Sequence, residues 1–173
     1  MPTVADAMTP HTPISVLFLC THNSARSILA EACLRQAGGP RFVAHSAGSD
    51  PRATGQPNPL ALRTLQEAGI DTVGLRSKSW DEFRGPSAPH IDLVVTVCGA
   101  ADQACPVFPG APAVAHWGYE DPSAGDAPDA VKLQAFGDTL ARIRRRIDAF
   151  VALPPEALAP DRIGESARRL ADV

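Results

Sequence analysis

The stretch "VLFLCTHNSARS", Val16 to Ser27, ends an apolar run at Cys20 and begins a helical pattern at Arg26. A loop between a strand and a helix N-terminus turns main-chain N–H groups inward, and the helix dipole adds about half a positive charge there. Thr21, Ser24 and Ala25 are small enough for a tight curl, and Asn23 tolerates a left-handed backbone. Arg26 supplies a planar fork suited to two oxygens of a tetrahedral anion. Residues Thr21, His22, Asn23, Ser24, Ala25, Arg26 and Ser27 are therefore expected to line an oxyanion cradle, with the His22 side chain pointing outward. Cys20 faces that anion as a nucleophile. A free thiol is only about 3% ionised at pH 7, and the positive field of the loop raises that fraction. Ser27 is placed to donate a hydroxyl hydrogen bond to the thiolate. No Gly-Lys-Ser/Thr follows, so this is not the phosphate loop of nucleotide-binding proteins.

Three further cysteines follow. Cys33 falls on the apolar stripe of the helix that starts at Arg26 and reads as buried. Cys98 ends the apolar run "IDLVVTV", and Cys105 comes seven residues later in "VCGAADQACP". Were that segment continuous helix, the two Cα atoms would stand about 10.5 Å apart. A disulfide tolerates roughly 7 Å, so pairing would need a loop or a local rearrangement. Gly99 and Pro106 mark the segment as one able to move. Further on, "HWGYEDPSAG" holds Asp121 before Pro122, which biases Asp121 toward an extended backbone and so fixes where its carboxyl points. His45, His90 and His116 lack metal-ligand spacing, and no metal is expected. Arg142, Arg144, Arg145 and Arg146 read as a solvated helix face.

These residues need a scaffold. The 173 residues suffice for one domain with a sizeable core. Sixteen basic against nineteen acidic residues, net charge −3, offer no broad field for nucleic acid or an anionic membrane. No apolar stretch reaches the roughly 20 residues of a membrane span, and the opening "MPTVADAMTPHTP" lacks a secretory plan. A cytoplasmic protein with reduced thiols is the expectation.

Apolar runs at 14–19, 41–48, 91–97 and 112–117 predict strands, and the spacing predicts helices over 26–37, 58–70 and 129–152. In the last helix the apolar positions are Val131, Leu133, Phe136, Leu140, Ile143, Ile147 and Phe150. Alternating strands and helices give an α/β class: a four-stranded parallel sheet in a three-layer α/β/α arrangement. Sites in such sheets lie beyond the carboxyl ends of strands, where Cys20, Cys98 and the segment after His116 converge. Residues 1–13 read as a disordered leader, 14–153 as the domain, and 154–173 as a tail with a weak helical pattern. A monomer is expected.

The Cys-x5-Arg-Ser loop near the N-terminus and the late Asp-Pro pair resemble the low-molecular-weight protein tyrosine phosphatase family. That resemblance implies that Asp121 is the general acid protonating the leaving group. With Cys98 and Cys105 added, the pattern more closely resembles the arsenate reductases built on the phosphatase fold. "HWGYEDP" and "RSKSWDEF" are similar to that branch, and the likeness spans roughly residues 14 to 152.

The resemblance implies a relay. Cys20 attacks arsenate, Cys98 then attacks Cys20 as arsenite departs, and Cys105 takes over the disulfide, which an external dithiol reduces. It favours thioredoxin as that reductant, with glutaredoxin and glutathione as the alternative, and implies no bound cofactor. Phosphate or sulfate would fit the same loop. Some reductases of this type bind potassium beside the loop through an Asn, a Glu, a Ser and an Asp. Asn23, Glu31 and Ser46 match three of these, whereas Lys78 stands in the place of the Asp, and its ammonium is expected to support the loop in the ion's stead. Two rival readings share the loop: a phosphatase in which Cys98 and Cys105 are incidental, and a non-enzymatic arsenite carrier or thiol sensor.

Overall fold

The computed structural model describes residues 12–99 and 106–173. The expected leader, 1–13, lies almost wholly outside the described residues, as does Cys105.

Strand β1 (Ile14–Cys20) is central. It pairs in parallel with β2 (Phe42–Gly48) on one side and β3 (Leu93–Thr96) on the other, and β3 pairs in parallel with β4 (Val114–His116). The order is β2-β1-β3-β4. Along β1, Val16, Phe18 and Cys20 enter the main core, whereas Leu17 and Leu19 enter a second core on the opposite face. Burial on both faces is why this strand reads as an unbroken apolar run rather than an alternation.

Helix α1 (Arg26–Gly38), α2 (Pro59–Glu67) and α3 (Asp129–Val151) contribute to the main core. Asn58 caps α2 by accepting the Leu60 N–H at 2.8 Å, and Pro59 occupies the first helical position. The stripe of α3 buries Phe136, Leu140, Ile143, Ile147 and Phe150. Val131 belongs to the same sequence pattern, yet it is exposed on the first turn. On the opposite face, the helical turn Trp80–Phe83 and Ile91 cover Leu17, Leu19, Ala47 and Val94. The architecture is thus the expected three-layer α/β/α domain with a four-stranded parallel sheet, its two outer layers unequal in helix content. β3 begins at Leu93 because the Asp92 carboxylate, rather than a strand carbonyl, takes the Ser15 N–H at 2.8 Å.

Residues 154–173, set apart in the sequence as a tail, pack into this structure. Leu158, Ile163 and Ala167 join the main core, and helix α4 (Ile163–Arg169) lies against β4. The Trp117 indole N–H donates to the Ala167 carbonyl at 2.8 Å, and Arg168 Nη1 donates to the Val114 carbonyl at 2.9 Å. Apolar side chains are sparse in the segment, so its sequence pattern does not announce the docking. No helix among the described residues is long and apolar enough to cross a membrane.

Candidate active site

Cys20, the last residue of β1, is buried, and its sulfur has two neighbours positioned by the loop that follows. The Asn23 main-chain N–H donates to Sγ at 3.3 Å, and Ser27 Oγ lies 2.8 Å from it. Asn23 adopts φ 49°, the left-handed conformation for which Asn is suited. Its side chain also engages the Ser27 hydroxyl. The Lys78 main-chain N–H can only donate, and it meets Asn23 Oδ1 at 3.0 Å. Asn23 Nδ2 must then face Ser27 Oγ, to which it donates at 2.9 Å. With one lone pair so engaged, the Ser27 hydroxyl keeps its hydrogen and its second lone pair for the sulfur 2.8 Å away.

Arg26 opens α1 and is buried; its Nη1 donates to the Tyr119 carbonyl at 2.8 Å. Two residues beyond Tyr119, Asp121 is half-buried, and its Oδ1 accepts both the N–H of Ser123 at 2.9 Å and its hydroxyl at 2.7 Å. A local turn thus orients the carboxylate through one oxygen.

Cys98 lies two residues past β3 and is buried. Leu19 pairs with Thr96, and the Val97 N–H donates to the Leu19 carbonyl at 3.0 Å, so Cys98 is one residue beyond the level of Cys20 on the adjacent strand. Residues 98–99 also run close to 118–120: a Cβ on Gly99 would come within 2.6 Å of the Tyr119 carbonyl oxygen. Cys20, Arg26, Cys98 and the segment carrying Asp121 therefore gather at one edge of the sheet. Among the described residues Cys20 and Cys33 are free thiols. Cys33 is buried within α1, and that burial pushes its thiol up to about 12.

The loop is held from outside by groups the sequence does not advertise. The Asp50 N–H donates to the Thr21 carbonyl at 2.8 Å, the Ser77 hydroxyl to the His22 carbonyl at 2.9 Å, and the Asn58 N–H to the Ser24 carbonyl at 2.9 Å. His22 itself points outward, its Nδ1 donating to the Asp50 carbonyl at 2.9 Å. Gly48, at the end of β2, lies directly beneath: a Cβ there would stand 2.5 Å from the Thr21 carbonyl oxygen. The only hints in the sequence are a small residue at a strand end and a serine inside "RSKSW".

Lys78 reaches under the same loop. Its Nζ donates to the Arg76 carbonyl at 3.0 Å and to Ser46 Oγ at 3.5 Å, and lies 3.9 Å from Glu31 Oε1. Burial is the largest influence on both partners, pushing Glu31 up and Lys78 down, while their mutual attraction opposes it. A potassium ion between Asn23, Glu31 and Ser46 does not fit these residues, because the Lys78 ammonium already lies against Ser46 and Glu31 and would repel it. No cluster of three or more His, Cys, Asp or Glu among the described residues is placed to hold a metal.

A buried strand-end thiol with two polar neighbours at its sulfur, a curled loop and a helix-start arginine thus stand together at the carboxyl edge of a parallel α/β sheet. Residues 15–162 match the family described as low molecular weight phosphotyrosine protein phosphatase. An arsenate reductase of Halalkalibacterium halodurans is 35% identical over 135 residues, which are 78% of this chain and 93% of that protein. The crystal structure of arsenate reductase from Archaeoglobus fulgidus aligns with a TM-score of 0.64 at 30% identity, covering 80% of this chain and 99% of the other. A thioredoxin-dependent arsenate reductase of Corynebacterium glutamicum aligns with a TM-score of 0.51 at 27% identity, covering 84% of this chain and 67% of the other. The chain belongs to the low molecular weight phosphotyrosine protein phosphatase family, among its arsenate-reductase-like members.

Proposed function

We propose that this enzyme reduces arsenate to arsenite through Cys20, Cys98 and Cys105, and that thioredoxin regenerates it. The reading rests chiefly on the second buried thiol, Cys98, at the same sheet edge as Cys20. A phosphatase would have no use for it. The Cys20 thiolate attacks arsenic held by the loop N–H groups and Arg26, and one arsenate oxygen leaves as water after Asp121 gives it a proton. Cys98 then attacks Cys20 Sγ; the sulfur–sulfur bond forms, the sulfur–arsenic bond breaks, and its electron pair stays on arsenic as arsenite. Cys105 attacks Cys98 and returns the Cys20 thiolate. An external dithiol reduces the remaining disulfide. Thioredoxin is supported by the likeness to the thioredoxin-dependent reductase of Corynebacterium glutamicum.

The test is arsenate-dependent NADPH oxidation with thioredoxin and its reductase, run beside glutaredoxin with glutathione. Wild type should turn over with thioredoxin, Cys20→Ser should be inactive, and Cys98→Ser and Cys105→Ser should each lose multiple turnover. Thiol trapping after a single turnover, read by mass spectrometry, should find a Cys98–Cys105 disulfide in wild type and a Cys20–Cys98 disulfide in Cys105→Ser. Full activity in Cys98→Ser or Cys105→Ser would refute the relay, and turnover with glutaredoxin alone would refute the choice of reductant.

A further inference from the structure

Arg146 departs from its sequence pattern. The basic run on α3 reads as a solvated face, and Arg142, Arg144 and Arg145 are indeed exposed, but Arg146 is only 7% exposed. A buried guanidinium needs acceptors on most of its donors. It finds three main-chain oxygens: Ala171 at 2.6 Å from Nη2, Val173 at 3.3 Å from Nε, and Gly118 at 3.3 Å from Nη1. Its charged plane also covers the Tyr119 ring, 4.7 Å from the ring centre. Two of these oxygens come from the segment after α4, which lies past residue 162, the last one matched by the family. The other two contacts are with Gly118 and Tyr119, and Tyr119 supplies the carbonyl that holds Arg26 at 2.8 Å.

We propose that Arg146, clamped by the carboxy-terminal segment, is a positioning residue for Arg26: it fixes Gly118 and Tyr119, and thereby the orientation of the fork that meets the oxyanion. The Trp117 bond to Ala167 and the Arg168 bond to Val114 hold the same stretch from its other side. Residues 163–173 thus act on the site without touching it. The inference rests on the reading of Arg26 as an oxyanion ligand. It differs from a general packing role because the donors on the Cys20 sulfur, Asn23 and Ser27, lie outside the chain of contacts from Arg146 to Arg26.

The experiment measures two quantities on the full-length protein: the dissociation constant of inorganic phosphate by calorimetry, and the rate of Cys20 alkylation by iodoacetamide at pH 7. Arg146→Met should weaken phosphate about tenfold, the scale of a misplaced charge-assisted contact, and Arg146→Lys about threefold. Alkylation of Cys20 should stay within about twofold of wild type in both. Should Arg146→Met not fold, Arg146→Lys carries the test. Phosphate affinity equal to wild type in the folded variants overturns the inference, and so does a parallel change in alkylation, which marks general loosening. Arg26→Lys separates the two readings. If it binds phosphate like wild type, the oxyanion role of Arg26 fails; if it loses phosphate while the Arg146 variants do not, only the positioning role fails.

Discussion

Ser27 Oγ stands 2.8 Å from Cys20 Sγ while accepting the Asn23 side-chain amide at 2.9 Å, so one residue ties the sulfur to the loop. The orientation is inherited from Lys78, whose main-chain N–H fixes the Asn23 amide. The surroundings of the Cys20 sulfur are thus held by a chain of hydrogen bonds that begins 55 residues away in sequence. Ser27→Ala removes the hydroxyl 2.8 Å from the sulfur and should slow iodoacetamide alkylation of Cys20 about tenfold, the scale of one lost polar contact to the reacting atom. It also leaves a buried Asn23 donor unsatisfied, at a cost of about 1–3 kcal/mol in unfolding free energy. The alkylation rate, together with urea unfolding, checks both. An unchanged rate would mean that Ser27 donates elsewhere.

The sheet reaches the loop through Gly48, whose place tolerates no side chain. A Cβ would stand 2.5 Å from the Thr21 carbonyl oxygen and 2.9 Å from the Asn23 nitrogen, and both are main-chain atoms that cannot swing aside. Gly48→Ala must therefore move the loop or the end of β2, at a cost of about 1–3 kcal/mol. Because the displaced atoms belong to the loop proposed to hold the oxyanion, phosphate binding should weaken more than tenfold even in the folded protein. Thermal unfolding and a phosphate titration report the two effects separately. Wild-type phosphate affinity would show that the loop keeps its shape without this contact.

The sequence makes local chemistry legible and leaves long-range support hidden. Cys20, Arg26 and Ser27 stand out because one short spacing joins a two-sided apolar strand to a helix start, and both elements are found there. Cys98 is placed by the same logic, as the residue just past the neighbouring strand. Ser77, Asp50 and Asn58 hold the loop through hydrogen bonds involving main-chain groups, and such bonds leave almost no mark on side-chain identity. Arg146 is misread for a related reason. A guanidinium on a helix with charged neighbours looks solvated, and only the carbonyls of residues 171 and 173, brought over by tertiary packing, make its burial tolerable. The carboxy-terminal segment is quiet because it buries only three apolar side chains fully, Leu158, Ile163 and Ala167, with Leu170 and Ala171 packed against them in part.

Lys78 and Glu31 make the support beneath the loop sensitive to pH. Burial raises Glu31 above its ordinary value of 4.5, with Lys78 and Arg35 only partly offsetting it. A group whose folded value is raised lends its full stability below the unfolded value and loses it as pH rises through the folded one. Glu31 therefore stabilises the fold most at acidic pH, and its contribution falls as pH climbs above about 4.5. Lys78, lowered by burial from 10.5, works in the opposite sense: its contribution is present above 10.5 and is lost as pH falls through its folded value. Relative to Glu31→Gln, wild type should thus lose stability between pH 4 and neutrality. The measurement is chemical unfolding of both proteins at matched ionic strength across that range. A stability difference independent of pH would show that Glu31 ionises as easily in the fold as in the unfolded chain. Lys78→Met is the complementary case. It leaves the buried carboxylate without its ammonium, so the folded value of Glu31 should rise further and the loss of stability toward neutral pH should steepen.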